Sequence, residues 1–294
     1  MVAVKEKAYA KINLYLDVTS KREDGFHDIK TVMHTVSLSD EITVSVKPAA
    51  KSRVTLSVVG HPKLPSDNRN LAYKAAELFL SSTLKDAEVH IRLVKRIPIA
   101  AGLAGGSSDA AAVLRALNKA FKRPLTEKRL LALAAELGSD VPYCLLGGTA
   151  LCEGRGERIE RLPGKLDLKL VVAVADEYVS TPTAYADLDR EFADFKCERT
   201  DDATPCFGAI LEAVSTGVLN DAKLFNVFEN TVFKTCSGAE SIKSKMLELG
   251  ASHALMSGSG PSVFGIFTDE PSAESAKEYF VKNGIRAYCA ATVK

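Results

Sequence analysis

The stretch Pro98-Ile-Ala-Ala-Gly-Leu-Ala-Gly-Gly-Ser-Ser-Asp-Ala110 decides how this chain folds, because it joins two segments of different secondary structure. The residues before it, Ala87 to Val94, are expected to form a strand. After it, apolar residues recur at positions 110, 113, 114, 117 and 121, and this spacing predicts a helix with Ser107 or Ser108 as its N-cap. The glycines are therefore expected at a strand-to-helix junction.

A loop of small residues that enters a helix N-terminus directs backbone N–H groups and the positive end of the helix dipole at one point, which suits a phosphate. The loop is not a P-loop, because Gly106 is followed by Ser-Ser-Asp and not by Lys-Ser or Lys-Thr. The spacing of Gly102, Gly105 and Gly106 also differs from that of a dinucleotide-binding loop. A tight turn that merely allows close packing remains the alternative.

Charged residues flank this loop. Arg92, Lys95 and Arg96 precede it as counter-charges for a phosphate, and the two serines that follow offer hydroxyls for Mg²⁺ or for the helix cap. Asp109 would repel a phosphate unless a metal lay between them or its side chain turned aside. Its simpler interpretation is an acidic residue favoured by the helix dipole.

The N-terminal segment Ala8 to Val18 alternates strictly and predicts a strand with one apolar and one polar-aromatic face. The polar-aromatic face carries Tyr9, Lys11, Asn13, Tyr15 and Asp17. A turn-rich segment over 20–27 and two β-leaning stretches over 29–38 and 41–47 follow, so the chain is expected to begin as an antiparallel meander.

The remaining pattern predicts alternating helices and strands. Helices are expected over 70–80, 126–138, 182–190, 207–217, 221–234 and 239–249 and between the last two strands, and strands over 168–175, 254–256, 263–267 and 285–293. Mixed charges over 194–205 predict a surface loop. We expect a boundary near 155–165, which gives an N-terminal domain over 1–160 and a C-terminal domain over 161–294.

Composition excludes several classes. The 294 residues include 38 Lys and Arg against 37 Asp and Glu, so a net charge of +1 argues against a general binder of nucleic acid or anionic membrane. No apolar run approaches the roughly 18 residues of a membrane span, and the first ten residues lack the pattern of a signal peptide. We expect a cytoplasmic protein. Its 6 cysteines form no C-x-x-C pair and are expected to be free and structural.

Three motifs together resemble those of the GHMP kinases, a superfamily of ATP-dependent small-molecule kinases. They are Lys11-x-Asn13, the run from Pro98 to Ser108, and Gly258-Ser-Gly-Pro-Ser262, which alone is more typical of a hairpin connection. The resemblance extends from about residue 8 to the C-terminus. It implies a two-domain α+β fold, with an N-terminal domain like domain 2 of ribosomal protein S5 and a C-terminal α/β-plait domain. It also implies ATP and Mg²⁺ as cofactors.

The resemblance implies two catalytic residues. Asp140 would accept the proton of the acceptor hydroxyl, and Lys11 would keep that carboxylate ionised and counter the charge on the transferring phosphoryl group. From the residues alone, an Asp before Val-Pro is typical of a helix N-cap, and a lysine on a strand is as easily a solvated side chain.

The resemblance also implies an ATP site, with Asn70 and Leu71 near the adenine and Lys95 as a counter-charge. The residues expected to hold the triphosphate are Pro98, Ile99, Ala100, Ala101, Gly102, Leu103, Ala104, Gly105, Gly106, Ser107 and Ser108. No residue is assigned as a direct metal ligand.

The turn Asp24-Gly-Phe-His27 is similar to that of the GHMP kinases whose acceptor is a cytidine-diphosphate-linked polyol. It implies that Phe26 stacks on cytosine and His27 hydrogen-bonds to it, although a histidine in a turn is ordinary by itself. Tyr185 would stack from the opposite side, with Thr181 or Thr183 as a polar contact. At the polyol and phosphate end the resemblance implies Asn13, Gly258, Ser259 and Gly260.

Three other functions compete with this one. A sister kinase of the homoserine or mevalonate type would share the motifs but not the cytosine-binding turn. A non-catalytic sensor would not need both Lys11 and Asp140. A nucleic-acid binder finds no basic surplus in the composition. The expected partner is therefore a small-molecule substrate, with neither nucleic acid nor membrane, and the chain is expected to be a monomer or a homodimer.

Overall fold

The computed structural model describes residues 1–164, 166–192, 200–219 and 222–293, with the main chain alone over 200–205. The strands are β1 (Val2–Lys21), β2 (His27–Pro48), β3 (Arg53–Val59), β4 (Ala87–Val94), β5 (Thr149–Gly154), β6 (Arg158–Arg161), β7 (Lys169–Val174), β8 (Phe225–Asn226), β9 (His253–Met256), β10 (Ser262–Phe267) and β11 (Arg286–Ala291). The helices are α1 (Leu71–Thr83), α2 (Gly105–Ala120), α3 (Glu127–Leu137), α4 (Val141–Leu146), α5 (Thr181–Glu191), α6 (Thr200–Thr216), α7 (Glu229–Val232), α8 (Ser237–Glu248) and α9 (Glu270–Lys282).

One compact unit comprises Met1–Ala10, Ser39–Ile99 and Ala104–Gly147. In it β4 pairs with β3 in parallel and with the C-terminal half of β2 antiparallel, from Glu41 opposite Val94 to Pro48 opposite Ala87. Alternate strand residues such as Val44 and Ile91 are buried with Phe79 of α1 and Leu117 of α2 in one apolar core. This core fixes α2, and therefore the end of the glycine-rich segment.

A second compact unit comprises Lys11–Leu38, Ala100–Leu103 and Gly148–Lys294. Its first part is the hairpin of β1 and β2, with β5 antiparallel to β2 and β8 parallel to β1 at Tyr15 and Leu16. Its second part is an antiparallel sheet in the order β11-β7-β10-β9, with α8 and α9 packed on it. The two units interleave along the chain, and the predicted domain division at residue 160 stays a prediction.

Several predicted elements are confirmed. The strand over 87–94 is β4 and the helix over 70–80 is α1. The glycine-rich segment forms the junction between β4 and α2, with Gly102 in the connection and Gly105 and Gly106 in the first turn of α2. The predicted strands over 29–38 and 41–47 are one continuous strand, β2. The strands β3, β5 and β6 and the short helix α4 had no prediction.

Three expectations are wrong. The N-cap of α2 is Ala104, in a left-handed conformation, so Ser107 and Ser108 lie inside the first turn. The helix over 221–234 is limited to Glu229–Val232, because the Asn226 side chain binds the main chain of this segment and β8 pairs with β1. Within the predicted loop over 194–205, residues 194–199 lie outside the described residues, and the main chain from Thr200 onward is helical.

The polar face of β1 is buried, so the interpretation of Lys11 as a solvated strand lysine is also wrong. Lys11 is 4% exposed, and Asn13, Tyr15 and Asp17 on the same face are buried with it. The ring of Tyr15 packs on the rings of Phe207 and Phe225, with centroids 5.2 and 5.6 Å apart. A strand with both faces buried must give each of its polar side chains a partner.

Among the described cysteines, Cys152, Cys206 and Cys236 are buried, Cys289 is exposed, and none forms a disulfide. No helix within the described ranges is long and apolar enough to cross a bilayer.

A buried histidine lies where β2 meets β5. The two ring nitrogens of His34 lie 2.8 Å from the hydroxyl of Thr149 and 3.0 Å from that of Thr292. Burial lowers the pKa of this imidazole to about 4, so the ring is neutral in the folded protein. The unfolded chain, with an ordinary histidine pKa, takes up a proton at higher pH than the folded chain does.

We predict that the free energy of unfolding falls by about 3 kcal/mol as the pH is lowered from about 6.5 to about 4, because only the unfolded state protonates His34 in that range. Urea unfolding followed by circular dichroism across this range measures the effect. His34→Gln should remove this part of the dependence of the free energy of unfolding on pH. His90→Gln, which changes an exposed histidine, should keep it. An unchanged slope in His34→Gln would contradict the assignment.

Candidate active site

Asn13 organises the polar face of β1 in the second unit. Its Oδ1 accepts hydrogen bonds from the Lys11 ammonium (2.6 Å) and from the backbone N–H of Gly258 (2.9 Å). Its Nδ2 donates to the hydroxyl of Thr31, which in turn donates to the carbonyl of Tyr15. The amide therefore joins the first and third predicted motifs directly, and its polar atoms are engaged by the protein itself.

The glycine-rich segment reaches the same place through its backbone. The N–H of Lys11 donates to the carbonyl of Leu103 at 3.2 Å, and the hydroxyl of Ser257 donates to the carbonyl of Gly102 at 3.0 Å. Gly102 has φ +73°, and a Cβ on it would lie 2.0 Å from the carbonyl oxygen of Ser257. Only glycine allows these two backbones to approach so closely.

Two polar residues that had no prediction, the buried Asn226 and the half-buried Glu229, hold the third-motif loop in place. The Nδ2 of Asn226 donates to the carbonyls of Met256 (2.7 Å) and Gly258 (2.8 Å). Glu229 accepts from the N–H of Met256 at 2.9 Å and pairs with Lys243 at 2.5 Å, and burial raises the pKa of its carboxyl. Their signal was that both belong to the four polar residues that interrupt the apolar stretch 224–233.

The turn that carries His27 is held by helix α5. The Nε2 of His27 lies 2.7 Å from Asp189, and its ring stacks on Tyr185, one helical turn earlier, with centroids 4.7 Å apart. Asp189 also accepts from Lys21 at 2.6 Å. Burial raises the pKa of the Asp189 carboxyl, but its hydrogen bonds with Lys21 and His27 hold that pKa below its ordinary value. Asp189 had no prediction, and the ring against which Tyr185 stacks in this structure is that of His27.

The other residues of this predicted site differ in exposure. Phe26 is 53% exposed, and the guanidinium of Arg155 lies over its ring at 4.7 Å from the centroid. Both threonine alternatives are exposed, but the hydroxyl of Thr181 lies 2.8 Å from the hydroxyl of Ser259. The structure therefore favours Thr181 as the threonine beside the third motif.

The first unit contains the N-terminus of α2. The first intrahelical bond there runs from the N–H of Ser108 to the carbonyl of Ala104, so the amides of Gly105 to Ser107 precede the helical ladder. The hydroxyl of Ser108 donates to the carbonyl of Tyr9 at 2.6 Å, which fixes this helix end to β1. Such an end can bind an anion through its N–H groups.

Lys95 is not a solvated counter-charge. Its ammonium is buried and contacts the carboxylates of Asp40 and, at 2.8 Å, Asp109. The side chain of Asp109 turns aside from the helix end into this cluster, which resolves the repulsion expected from the sequence. Burial raises the pKa of Asp109, whereas the two carboxylates raise that of Lys95 against the effect of its own burial.

Two further predicted site residues sit at helix starts in the first unit. Asn70 is the N-cap of α1, with its Oδ1 accepting from the N–H of Ala72 and its Nδ2 donating to the carbonyl of Pro65. Asp140 precedes α4 in a helical conformation, and its side chain makes no capping bond. Asp140 therefore occupies the N-cap position that the residues alone predicted, but its carboxylate does not cap the helix.

The donors present fit a metal that arrives with the nucleotide. Within the described residues no three His, Cys, Asp or Glu side chains cluster as a metal cage. The two serines of α2 carry hydroxyls near the helix end, whereas the carboxylate of Asp109 lies in the cluster with Lys95. Mg²⁺ usually binds through one or two protein oxygens together with phosphates and water, and this donor set suits that mode.

Comparison with known proteins identifies both halves of the chain. Residues 70–148 match the family model "GHMP kinases N terminal domain", and residues 209–286 match "GHMP kinases C terminal". A 4-diphosphocytidyl-2-C-methyl-D-erythritol kinase of Exiguobacterium sibiricum is 42% identical, covering 96% of this chain and 94% of the relative. The enzyme of the same name from Caldicellulosiruptor bescii is 41% identical, covering 94% of this chain and 93% of the relative.

Solved structures agree with these relatives. A crystal structure of 4-(cytidine 5'-diphospho)-2C-methyl-D-erythritol kinase superposes with a TM-score of 0.81 at 34% identity, over 99% of this chain and 100% of the other. A homoserine kinase from Cytophaga hutchinsonii superposes with a TM-score of 0.70 at 20% identity, over 99% of this chain and 94% of the other. The second match is similar in fold alone.

We predict that Gly102→Ala lowers the free energy of unfolding by about 3 kcal/mol or more, because the new Cβ meets the Ser257 carbonyl and the left-handed φ is strained as well. Gly25→Ala is a matched control, since Gly25 has φ +82° but no atom within 4 Å of the position that a Cβ would take. It should cost about 1 kcal/mol from the backbone conformation alone. Urea midpoints measure both, and equal losses would contradict the close approach at Gly102.

Proposed function

This chain belongs to the 4-diphosphocytidyl-2-C-methyl-D-erythritol kinase family of the GHMP kinases, and from that premise we propose that it transfers the γ-phosphoryl group of ATP to the 2-hydroxyl of that substrate. The family acts in the non-mevalonate pathway to isoprenoid precursors. The observation that supports the proposal most is the meeting of the three motifs: Asn13 accepts from Lys11 and Gly258, and Gly102 lies against Ser257 and Gly258. Three motifs distant in sequence thereby form one polar site.

Phosphoryl transfer through a loose transition state depends on alignment and on neutralising charge more than on covalent help. In this proposal the backbone amides of the segment from Pro98 to Ser108 hold the triphosphate at the N-terminus of α2. The hydroxyls of Ser107 and Ser108 are the protein oxygens that would hold Mg²⁺, which would supply neutralisation of part of the phosphate charge.

The acceptor hydroxyl must lose its proton as the new P–O bond forms. We assign that proton to the carboxylate of Asp140, and we assign to Lys11 the neutralisation of charge on the transferring group. The burial of Lys11 supports this role, because a buried ammonium with fixed partners keeps its position and acts in a low-dielectric environment.

The cytidine end of the substrate is assigned to the turn that α5 holds. His27 is fixed by Asp189 and Tyr185, and Phe26 presents an exposed ring that suits stacking on a pyrimidine. Thr183 and Tyr185 stay in the proposed site, with Thr181 added by its contact to Ser259. Ser259 and Gly260 are assigned to the polyol and phosphate end.

The proposal extends to the setting of the enzyme. We propose that it works in the cytoplasm as a monomer or a homodimer, with a small molecule as its substrate and neither nucleic acid nor membrane as a partner. The second candidate activity is that of a homoserine or mevalonate kinase, and only the shared motifs support it. The turn at Phe26 and His27 favours the cytidylyl substrate over both.

We expect ADP release with Mg-ATP and 4-diphosphocytidyl-2-C-methyl-D-erythritol and none above background with homoserine or mevalonate. Phe26→Ala should raise KM for the cytidylyl substrate by about tenfold, because a ring stack is lost, and should leave KM for ATP unchanged. Tyr178→Ala removes another exposed aromatic ring and should change neither constant. The proposed function fails if the cytidylyl substrate gives no ADP while one of the other acceptors does.

Asp140→Asn should lower kcat by a factor of about 10² to 10⁴, because the amide cannot accept the proton, while the affinity for ATP stays within about twofold. Turnover and calorimetric titration with a non-hydrolysable ATP analogue measure the two effects separately. Retention of full turnover in a folded Asp140→Asn variant would refute the assignment of Asp140 as the base.

A further inference from the structure

The end of strand β4 is held by a side chain and not by the sheet. The β2–β4 ladder runs up to the pair Glu41 and Val94, and Asp40 is the next residue of β2 beyond it. On the other edge, the N–H of Lys95 still donates to the carbonyl of Val59 at 2.9 Å. Past this point β4 has left the ladder, and its next two N–H groups need other acceptors.

The carboxylate of Asp40 supplies these acceptors. Its Oδ1 accepts from the N–H of Arg96 at 2.5 Å and from the N–H of Ile97 at 2.8 Å, and its Oδ2 accepts from the Lys95 ammonium. Asp40 is 0% exposed, so it touches no solvent. One buried carboxylate thus fixes three consecutive residues immediately before the loop that begins at Pro98.

The same cluster reaches the far end of that loop. The ammonium of Lys95 also donates to Asp109 at 2.8 Å, and Asp109 lies in the early part of α2. Asp40, Lys95 and Asp109 therefore tie the chain before Pro98 to the helix that follows Ala104. We name this cluster of three side chains the loop clamp.

We propose that Asp40 is a positioning residue for ATP binding, which acts through the loop clamp by fixing the backbone of the glycine-rich loop at its entrance. The proposal rests on the proposed function, since it takes the loop as the ATP-binding element. Asp40 itself does not touch the nucleotide. It determines where the loop amides lie, and a misplaced amide binds a phosphate oxygen poorly.

The two carboxylates of the clamp have different tasks. Asp40 holds two backbone N–H groups and the ammonium, whereas Asp109 holds the ammonium alone and has one buried oxygen without a partner. Two buried carboxylates share a single cation, so removing the charge of Asp109 relieves an excess of negative charge. Removing the charge of Asp40 instead weakens its hold on the N–H groups of Arg96 and Ile97, which precede the loop.

The test compares three variants of the full chain. Asp40→Asn has one oxygen and cannot accept from both the amides and Lys95. Asp109→Asn keeps an acceptor for Lys95 and removes one charge. Val44→Ala creates a cavity on the same strand without touching the loop and controls for lost stability.

The readouts are the melting temperature, the Kd for a non-hydrolysable ATP analogue, the KM values of both substrates, and hydrogen exchange at Arg96 and Ile97. Asp40→Asn should raise the Kd and the KM for ATP by about tenfold, leave the KM of the acceptor within about twofold, and speed exchange of the two amides. Asp109→Asn should bind the analogue within about threefold of wild type, with an equal or higher melting temperature. Val44→Ala should lower the melting temperature and leave the Kd unchanged.

Wild-type affinity for the analogue in folded Asp40→Asn would overturn the proposal. So would a loss in Val44→Ala or in Asp109→Asn as large as that in Asp40→Asn. If Asp40→Asn does not fold, Asp40→Glu is the deciding variant, because it keeps the charge and shifts the oxygens by one methylene. Faster exchange of the two amides together with weaker binding of the analogue supports the proposal. Unchanged binding of the analogue by Asp40→Glu overturns it. A wild type that binds the analogue but phosphorylates no acceptor contradicts only the proposed function, whereas one that does not bind the analogue overturns both.

Discussion

From Ala10 to Val18, strand β1 is buried on both faces, and the rest of the site depends on how its polar residues are satisfied. Buried amides and ammonium groups are costly unless each finds a partner. Asn13 meets this requirement for Lys11 and, 245 residues away in sequence, for the N–H of Gly258. A single side-chain amide therefore connects the N-terminal hairpin to the loop after β9, and it does so through atoms that cannot be left unpaired.

In the first unit a charged side chain, and not an amide, holds the backbone of a loop. There the carboxylate of Asp40 takes over as acceptor where the β2–β4 ladder ends, and Lys95 extends its reach to Asp109 in α2. In both units a buried polar side chain holds a loop by its backbone. Loops that bind phosphates through N–H groups need that backbone to be rigid, and the polar residues behind them supply the rigidity.

Local patterns predicted most of the regular structure. The alternation over 8–18, the strand over 87–94 and the helical spacing after Gly106 all correspond to observed elements, because each reflects burial of one face of a short segment. The errors arose where distant residues decide. Ser107 and Ser108 look like caps in sequence, but the helix begins earlier, at a left-handed Ala104, and Ser108 binds the carbonyl of Tyr9. The helix over 221–234 is limited to Glu229–Val232, because Asn226 binds the main chain of its own segment and β8 pairs with β1.

The sequence by itself determined the family and the order of the motifs, and it predicted the residue types for phosphate, cytosine and proton transfer. The tertiary structure alone decided which buried groups support them: Asp40 under the glycine-rich loop, Asp189 behind His27, and Asn226 and Glu229 beneath the third motif. It also showed that Lys95 serves carboxylates of the protein and that Lys11 is buried. The physical reason is that periodicity reports which face of a segment is buried, whereas the partner of a buried polar atom lies anywhere along the chain and is fixed only when the chain is folded.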